Sequence, residues 1–266
     1  MSQRPTDRGT LLVAIAHPDD ETFGCGALIA SEARAGSEVV VCCASRGELG
    51  EDASGRHPSR EALGAAREQE LRAAARVLGA ATVEVLGLAD SGWDGDAEPG
   101  SIVAEPVRLG ERLEDALRRH RPGVVVTLDP TGSDGHRDHA AVGTAATEAF
   151  ERVVDWPASL YHWCLPHSLM DAWTREIAAS SPDSVYLGTE LGRPDADVTT
   201  ILDGHEVLET VWTAIGCHET QATPYDAISP ELAAQFVGHD HLVRQHPVPG
   251  PGPVEDHLWW PERTSS

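Results

Sequence analysis

The chain has 266 residues and a formal net charge of -23, from 43 acidic and 20 basic residues, and every basic residue is arginine. This length suits one large α/β domain with a sizeable core. The acidity argues against nucleic acid or an anionic membrane as a partner, because both require a basic face. Five cysteines without CxxC spacing, an N-terminus without an apolar signal region and the absence of a membrane-length apolar run predict a cytoplasmic protein.

The first predicted element is a strand that begins at Leu11 and runs directly into the sequence His-Pro-Asp-Asp-Glu at residues 17–21. A continuous apolar run of this length is typical of a parallel strand that is covered on both faces. A helix is predicted at 27–35, a second buried strand at 38–44 and a strongly amphipathic helix at 60–78.

The same alternation continues with strands at 82–88 and 123–128 and helices at 105–120 and 137–153. Four strand-plus-helix units predict parallel strands with right-handed crossovers. The fold class is therefore α/β, with a Rossmann-like, mostly parallel sheet and helices on both faces. A dinucleotide site is not expected, because no GxGxxG follows the first strand. Loops at 45–59 and 89–103 follow strand ends, where substrate-facing loops belong.

Beyond residue 153 the pattern is less regular. Strands are predicted at 159–165, 185–188 and 198–202, and helices near 168–179 and 206–217, before a Pro/Gly-rich tail with paired tryptophans. We predict that the tryptophans pack on the body or on another subunit, which leaves open a homo-oligomer. The chain is interpreted as a single domain at 1–266, with a core at 11–153 and an irregular α/β C-terminal part at 154–266 on the substrate side.

Two clusters of histidines and carboxylates follow the first and fourth strands: His17, Asp19, Asp20 and Glu21, then Asp134, His136, Asp138 and His139. The carboxyl ends of parallel strands share one edge of the sheet, so the clusters can converge. Two imidazoles, one carboxylate and an open position are what a catalytic zinc site requires, although Fe²⁺ or another divalent metal also suits them. Either cluster alone is also typical of an acidic turn or a helix N-terminus.

The spacing favours particular roles within the clusters. His17 and Asp20 can reach one ion from a single turn, and His139 is the best third ligand. Asp19 cannot point the same way as its neighbour Asp20, so it is available as a general base. His136 precedes His139 by one helical turn and can approach the substrate side, where an imidazolium would stabilise an oxyanion or protonate a leaving amine.

At these residues the sequence resembles the PIG-L or LmbE-like N-acetylglucosaminyl deacetylases, which are zinc-dependent amide hydrolases. The resemblance rests on the Ala-His-Pro-Asp-Asp-Glu run at 16–21 and on His-Arg-Asp-His at 136–139, with further matches at 47–50, 67–79 and 90–92. It implies that the metal is bound by His17, Asp20 and His139. It also implies that Asp19 is the general base, and that His136, oriented by Asp138, stabilises the oxyanion or acts as an acid.

The resemblance further implies residues on the substrate side. Arg67 and Asp90 match positions that contact the sugar in sugar-amide members of the family. His218 lies in a stretch similar to the family's His-x-Ser/Thr-Gln element, which gives it a role beside the substrate or behind a ligand. The alternatives are an exposed helix face, a loop cap and a structural histidine, respectively.

Two residues depart from the family pattern. Arg137 stands where proline is common, and Asp134 stands where the mycothiol-pathway members carry a tyrosine that assists the oxyanion. The second departure bears on the charge stabilisation at His136 and weakens an assignment to that pathway, whose deacetylase or amidase branch is kept as an alternative.

The predicted function is metal-dependent removal of an acetyl group from an N-acetylglucosamine-type amino sugar or its conjugate, which is a small-molecule substrate. The alternatives are an amidase that cleaves a larger sugar–thiol conjugate, a non-catalytic sugar-binding accessory domain, and a metallophosphoesterase, which usually needs two metals. Removal of the Asp19 carboxylate separates an enzyme from a binding domain, and the metal count per chain addresses the phosphoesterase.

Overall fold

A computed structural model describes the chain at residues 8–180, 187 and 191–261. The strands are β1 (Thr10–Ile15), β2 (Glu38–Cys43), β3 (Thr82–Val85), β4 (Val124–Leu128), β5 (Ser159–Cys164), β6 (Thr200–Asp203) and β7 (His239–His246). The α-helices are α1 (Asp20–Phe23), α2 (Gly26–Ala35), α3 (Arg60–Leu78), α4 (Pro106–His120), α5 (Arg137–Val153), α6 (His167–Ser180), α7 (Leu208–Ile215) and α8 (Pro230–Gly238).

The strands form one sheet in the order β3-β2-β1-β4-β5-β7-β6. The first five of these are mutually parallel, and β7 runs antiparallel to both of its neighbours. Helices α2 and α3 connect strands in one direction across the sheet, and α4 and α5 connect them in the other. Right-handed crossovers therefore place the two pairs on opposite faces. The predicted α/β class with a mostly parallel sheet is confirmed.

The strand order reverses between β1 and β4, which is where open α/β sheets bind ligands. Both strands are buried almost throughout, because their residues are aliphatic or β-branched and helices cover both faces. Gly36 and Gly79 end α2 and α3 in the left-handed conformation, directly after the helix ends predicted at residues 35 and 78. Helix α5 begins at Arg137, the residue predicted from the sequence.

The C-terminal part adds β5, β6 and β7 to the sheet. Strands at 159–165 and 198–202 and helices near 168–179 and 206–217 are confirmed, with small differences at their ends. The strand predicted at 185–188 lies, apart from Leu187, outside the described residues. The division of the domain into a core and a substrate-side part stays a prediction.

Helix α8 and strand β7 were not predicted. The sequence of β7, His-Asp-His-Leu-Val-Arg-Gln-His, contains three histidines. Because these histidines belong to no recognisable motif, the sequence predicts that they are surface residues. That expectation is wrong for His239 and His241, which are half-buried between β5 and β6, whereas His246 is exposed.

The tail packs on the body of the protein, as one of the two predictions for it proposed. The backbone N–H of Trp259 donates to the Tyr161 hydroxyl at 2.7 Å. The indole of Trp260 lies over Gly9 and Gly123.

The five cysteines are free thiols, and only Cys217 is not fully buried. This agrees with the predicted reduced thiols, and the cytoplasmic location stays a prediction. Within the described ranges no helix is both long and apolar enough to cross a membrane.

Candidate active site

The two clusters predicted from the sequence meet where the strand order reverses. One follows β1 and the other follows β4, and these strands are neighbours in the sheet. His17 Nε2 lies 3.1 Å from Asp138 Oδ2, although the two residues are 121 positions apart in the chain. The ring centroids of His17 and His139 are 5.4 Å apart. Together the clusters form one largely buried site.

Two imidazoles and one carboxylate form a donor set that fits a divalent metal ion. Asp20 Oδ1 lies 3.2 Å from His139 Nε2, and Asp20 Oδ2 lies 4.0 Å from His17 Nδ1. Two ligands of one tetrahedral zinc ion are about 3.3 Å apart, so these distances suit a shared ion. Asp20 Oδ2 also accepts the backbone N–H groups of Ala16 and His17, which fixes the carboxylate. His136 borders the same space, since one ring nitrogen from each of the three histidines lies within 4.8 Å of the others.

Each imidazole of this donor set is held from behind by a second carboxylate. His17 Nε2 contacts Asp138 Oδ2 at 3.1 Å, and His139 Nδ1 contacts Asp134 Oδ2 at 2.5 Å. Carboxylates in such positions fix the tautomer and the orientation of metal-binding imidazoles. The arrangement therefore leaves Nδ1 of His17 and Nε2 of His139 available to an ion.

The predicted contact between Asp138 and His136 is made by the backbone of Asp138, while its side chain has another partner. Asp138 lies in the first turn of α5, which directs its fully buried carboxylate toward His17. Its contact with His136 is made by the backbone N–H instead. Asp134, which stands where some family members carry the tyrosine that assists the oxyanion, contacts His139 instead.

Charge and burial oppose each other in the donor set. Burial disfavours an ionised Asp20, but the nearby His139 and His17 lower its pKa well below the usual range. Burial would lower the pKa of His17, yet its hydrogen bond with Asp138 and the neighbouring carboxylates raise that pKa to about 9. The carboxylates are thus ionised and protons rest on the imidazoles, so a bound cation would displace those protons.

Asp19 has a backbone conformation that non-glycine residues rarely adopt, with φ at 115° and ψ at -31°. Such a conformation costs on the order of 1–3 kcal/mol and is found mainly where surrounding contacts enforce it. Here the Asp19 N–H donates to Glu21 Oε2 at 2.9 Å, and its carbonyl accepts the N–H of Thr22. Arg67 Nη2 donates to Asp19 Oδ2 at 3.0 Å. The adjacent carboxylates of Asp19 and Asp20 consequently have different partners.

Burial raises the pKa of the Asp19 carboxyl to about 6, against the opposing charge of Arg67. A carboxylate with a pKa in this range is ionised at neutral pH and is a stronger base than an exposed aspartate.

Arg67, predicted to bind the substrate, lies on α3 beneath Asp19 and is only 3% exposed. Its guanidinium also donates to the carbonyls of Pro18 at 2.7 Å and Gly47 at 2.5 Å. A Cβ atom at Gly47 or Gly50 would lie 2.4 or 2.3 Å from this guanidinium. The Gly-Glu-Leu-Gly turn therefore needs its glycines to fit around Arg67, which does not lie on an exposed helix face.

Asp90, the second predicted substrate residue, is buried behind His17. Its Oδ1 lies 3.6 Å from His17 Nε2. The two carboxylate oxygens accept the backbone N–H groups of Gly92 at 2.7 Å and Leu49 at 3.2 Å. In this arrangement Asp90 supports a donor histidine and fixes two loops.

His218, the third predicted substrate residue, forms a fully buried pair with Glu21. His218 Nε2 lies 2.6 Å from Glu21 Oε1. The other oxygen of Glu21 accepts the N–H of Asp19. Glu21 thus connects a C-terminal histidine to the strained backbone of Asp19, a link for which the sequence showed only the separate motifs.

His136 is the N-cap residue of α5, and its Nδ1 accepts the backbone N–H of Asp138 at 3.1 Å. Because a backbone N–H can only donate, the proton of a neutral His136 ring is on Nε2. Burial, together with the nearby His17 and His139, lowers the pKa of His136 to about 3. The structure favours a neutral hydrogen-bond donor here, whereas the sequence interpretation used an imidazolium.

Two residues beside His136 were not predicted as part of the site. The Trp93 ring meets the His136 ring edge to face, with centroids 5.1 Å apart. Arg137 donates to four backbone carbonyls of the loop that carries Trp93, those of residues 91, 92, 94 and 95. Two features of the sequence could have indicated these residues. Trp93 is a tryptophan in the loop after β3, and Arg137 stands where the family often has proline.

Comparisons with known proteins identify the family of the chain. The PIG-L family model, described as GlcNAc-PI de-N-acetylase, matches residues 12–150. Proteins named 1D-myo-inositol 2-acetamido-2-deoxy-alpha-D-glucopyranoside deacetylase are similar over most of the chain. The protein from Rhodococcus opacus is 33% identical over 88% of this chain and 90% of its own length. The protein from Rhodococcus erythropolis is 36% identical over 88% and 86%, respectively. The chain belongs to the PIG-L family.

Two solved structures share the fold at lower identity. The N,N'-diacetylchitobiose deacetylase of Pyrococcus horikoshii has a TM-score of 0.64 at 20% identity and covers 93% of this chain and 90% of its own. The 4-carboxy-2-hydroxymuconate hydratase of Pseudomonas putida has a TM-score of 0.63 at 24% identity and covers 92% and 99%. One fold thus carries a deacetylase and a hydratase, so the activity has to be argued from the site.

Proposed function

We propose that this protein is a metal-dependent N-deacetylase of an N-acetylglucosamine-type amino sugar or its conjugate. The observation that carries the proposal is that two adjacent aspartates have different partners. Asp20 lies between the imidazoles of His17 and His139, while Asp19 is held apart from them by Arg67. A metal donor set beside a separately held base is what hydrolysis of an amide requires.

His17, Asp20 and His139 would hold the metal ion. When bound, a divalent ion at these residues would polarise the amide carbonyl and lower the pKa of water. Zinc suits two imidazoles and a carboxylate, and Fe²⁺ is the main alternative. The carboxylates of Asp138 and Asp134 support the set, because each accepts a hydrogen bond from the ring N–H of the imidazole in front of it.

Asp19 acts as the general base in this proposal. It takes a proton from the water whose oxygen attacks the carbonyl carbon of the N-acetyl group. The C–N bond then breaks, and the same proton passes to the amine as it leaves with acetate as the other product. Arg67 and Glu21 hold Asp19 in position for both transfers, since they contact its side chain and its backbone N–H.

His136 is the donor on the opposite side of the reaction. Its Nε2–H is directed away from the Asp138 backbone and can donate to the oxygen that becomes negatively charged as water attacks. Asp138 serves His136 through its N–H and His17 through its carboxylate, so one residue positions both imidazoles.

The substrate side comprises the loop with Trp93 and the predicted substrate residues. Arg67, Asp90 and His218 contact catalytic or donor residues, so we assign them a positioning role in addition to the predicted substrate contacts. Trp93 forms a wall beside His136, which suits the apolar face of a sugar ring. The names of the Rhodococcus relatives favour an N-acetylglucosamine–inositol conjugate as the first substrate to try.

The test is release of free amine from N-acetylglucosamine, its inositol conjugate and N,N'-diacetylchitobiose by tag-free protein. Stripping the metal with a chelator should abolish the release, and Zn²⁺ or Fe²⁺ should restore it to an extent that identifies the better metal. Full activity after verified metal removal would overturn the metal dependence. Amine release only from larger thiol conjugates would favour the amidase alternative.

A further inference from the structure

A second group of histidines and a carboxylate lies outside the active site. Asp203 ends β6, His205 begins the short 3-10 helix His205–Val207, and His239 begins β7. One ligand atom from each of the three lies within 4.8 Å of the others. Among the described residues this is the only such group away from the active site. We call it the outer cluster.

The backbone brings these three residues together. Asp203 and His239 are direct partners in the antiparallel ladder between β6 and β7. The Gly204 N–H donates to the Gly238 carbonyl at 2.8 Å and closes the end of that ladder. A Cβ at Gly204 would lie 2.3 Å from the Ala27 Cβ, so this position needs glycine for α2 to approach. The cluster is therefore set by sheet pairing and close packing.

The side chains are already arranged around a shared space. Asp203 Oδ1 accepts the backbone N–H of His205 at 2.9 Å and contacts its Nδ1 at 2.6 Å. The rings of His205 and His239 meet nearly at right angles with centroids 4.9 Å apart. Two imidazole nitrogens and a carboxylate oxygen are ligands that zinc, nickel and copper ions accept, whereas magnesium and calcium prefer oxygen alone.

We propose that Asp203, His205 and His239 bind a second divalent transition-metal ion. The side chains of His205 and Asp203 are 58% and 72% exposed, so water fills the remaining coordination positions and the ion exchanges freely. Bound there, the ion links the end of the edge strand β6 to the beginning of β7. The proposal is independent of the deacetylase activity.

The outer ion takes no part in the proposed reaction. Both sites lie at the same edge of the sheet, but β1 and β6 are four strand positions apart, which corresponds to roughly 19 Å. Two-metal catalysis needs ions about 3.5–4 Å apart. A count of two metals per chain would consequently not indicate a phosphoesterase centre in this protein.

The experiment is a metal count on tag-free protein that has been stripped and then dialysed against micromolar Zn²⁺. The unchanged chain is compared with His205→Gln, with the double variant His205→Gln/His239→Gln, and with His257→Gln. His257 is the matched control, because it pairs with Asp256 at 2.8 Å on the surface but has no third ligand in the described structure. Circular dichroism confirms that each variant is folded.

The unchanged chain and His257→Gln should each bind two zinc ions. Both variants of the outer cluster should bind one and keep full amine release. Because the His205 side chain is more than half exposed, His205→Gln tests the site with little effect on packing even if the double variant unfolds. Equal zinc content in the unchanged chain and His205→Gln would overturn the proposal, and so would a second zinc lost equally in His257→Gln.

Discussion

The active site and the outer cluster use the same residue types at the same edge of the sheet, but they are built differently. In the active site the imidazoles of His17 and His139 each have a separate carboxylate behind them, and the side chains are largely buried. In the outer cluster Asp203 is both the partner of His205 and a ligand, and it is mostly exposed. In the proposed functions, burial and the carboxylates behind the imidazoles distinguish the catalytic site from the site that only binds.

The largest expected effect concerns the base, which only the active site has. Replacing Asp19→Asn keeps the size of the side chain but removes the proton acceptor. We expect kcat to fall by about 10²–10⁴-fold, the usual contribution of general base catalysis, with the metal content unchanged. Steady-state amine release and a metal count on the same sample measure both quantities. The control is Asp203→Asn in the outer cluster, which should keep kcat; an active Asp19→Asn protein would contradict the assigned base.

A second prediction removes the carboxylate behind one active-site imidazole, so that the active site resembles the outer cluster. Asp134→Ala leaves His139 Nδ1 without its 2.5 Å partner. The affinity of the active site for zinc should fall about 10–100-fold, as it does when such partners are lost. Competition with a chromophoric chelator gives the affinity. Asp134→Asn keeps an oxygen that accepts from the imidazole and should recover part of the loss, whereas equal affinity in all three proteins would count against the role of Asp134.

The sequence predicts the active site better than it predicts the outer cluster. The runs of apolar residues in β1 and β4 specify parallel buried strands, and strand ends on a shared edge bring His17 and His139 together. The antiparallel strand β7 was missed because its three histidines hide the apolar pattern, and the outer cluster depends on it. The pairing of Asp138 with His17 depends on the direction in which the first turn of α5 points, which residue spacing alone does not determine.

A third prediction concerns a histidine that is buried, as in the active site, but has no carboxylate behind its ring. His162 on β5 is 4% exposed, and its Nε2 lies 2.8 Å from Thr147 Oγ1. The Thr147 hydroxyl donates its proton to the Gly143 carbonyl, so His162 Nε2 is the donor and its buried Nδ1 has no hydrogen-bond partner in the described structure. Burial lowers the pKa of His162 to about 4.

The sign of the pH effect follows from this lowered pKa. Below about pH 6.5 the unfolded chain binds a proton at this histidine, whereas the folded chain binds it only near pH 4. The free energy of unfolding therefore decreases as the pH falls from about 6.5 to about 4. Relative to His162→Gln, the unchanged chain should lose roughly 2–3 kcal/mol between pH 7 and pH 4. Urea unfolding at several pH values measures the difference. The exposed His246→Gln is the control for histidine removal in general, and a difference that stays constant with pH would contradict the prediction.

The smallest expected effect concerns the Trp93 ring beside His136, which has no counterpart in the outer cluster. Arg137 holds the loop at residues 91–95 by donating to four of its carbonyls, and this loop places Trp93 beside His136. In Arg137→Ala the loop loses these bonds while the donor set and Asp19 keep theirs. Loss of one or two net hydrogen bonds corresponds to roughly a threefold to tenfold rise in KM, with kcat little changed. Arg108→Ala, which removes one bond to the Gly87 carbonyl in the preceding segment, is the matched control. If instead kcat falls and KM does not change, Arg137 acts through His136, its neighbour in the chain, and the wall is not the part of the site that recognises the sugar.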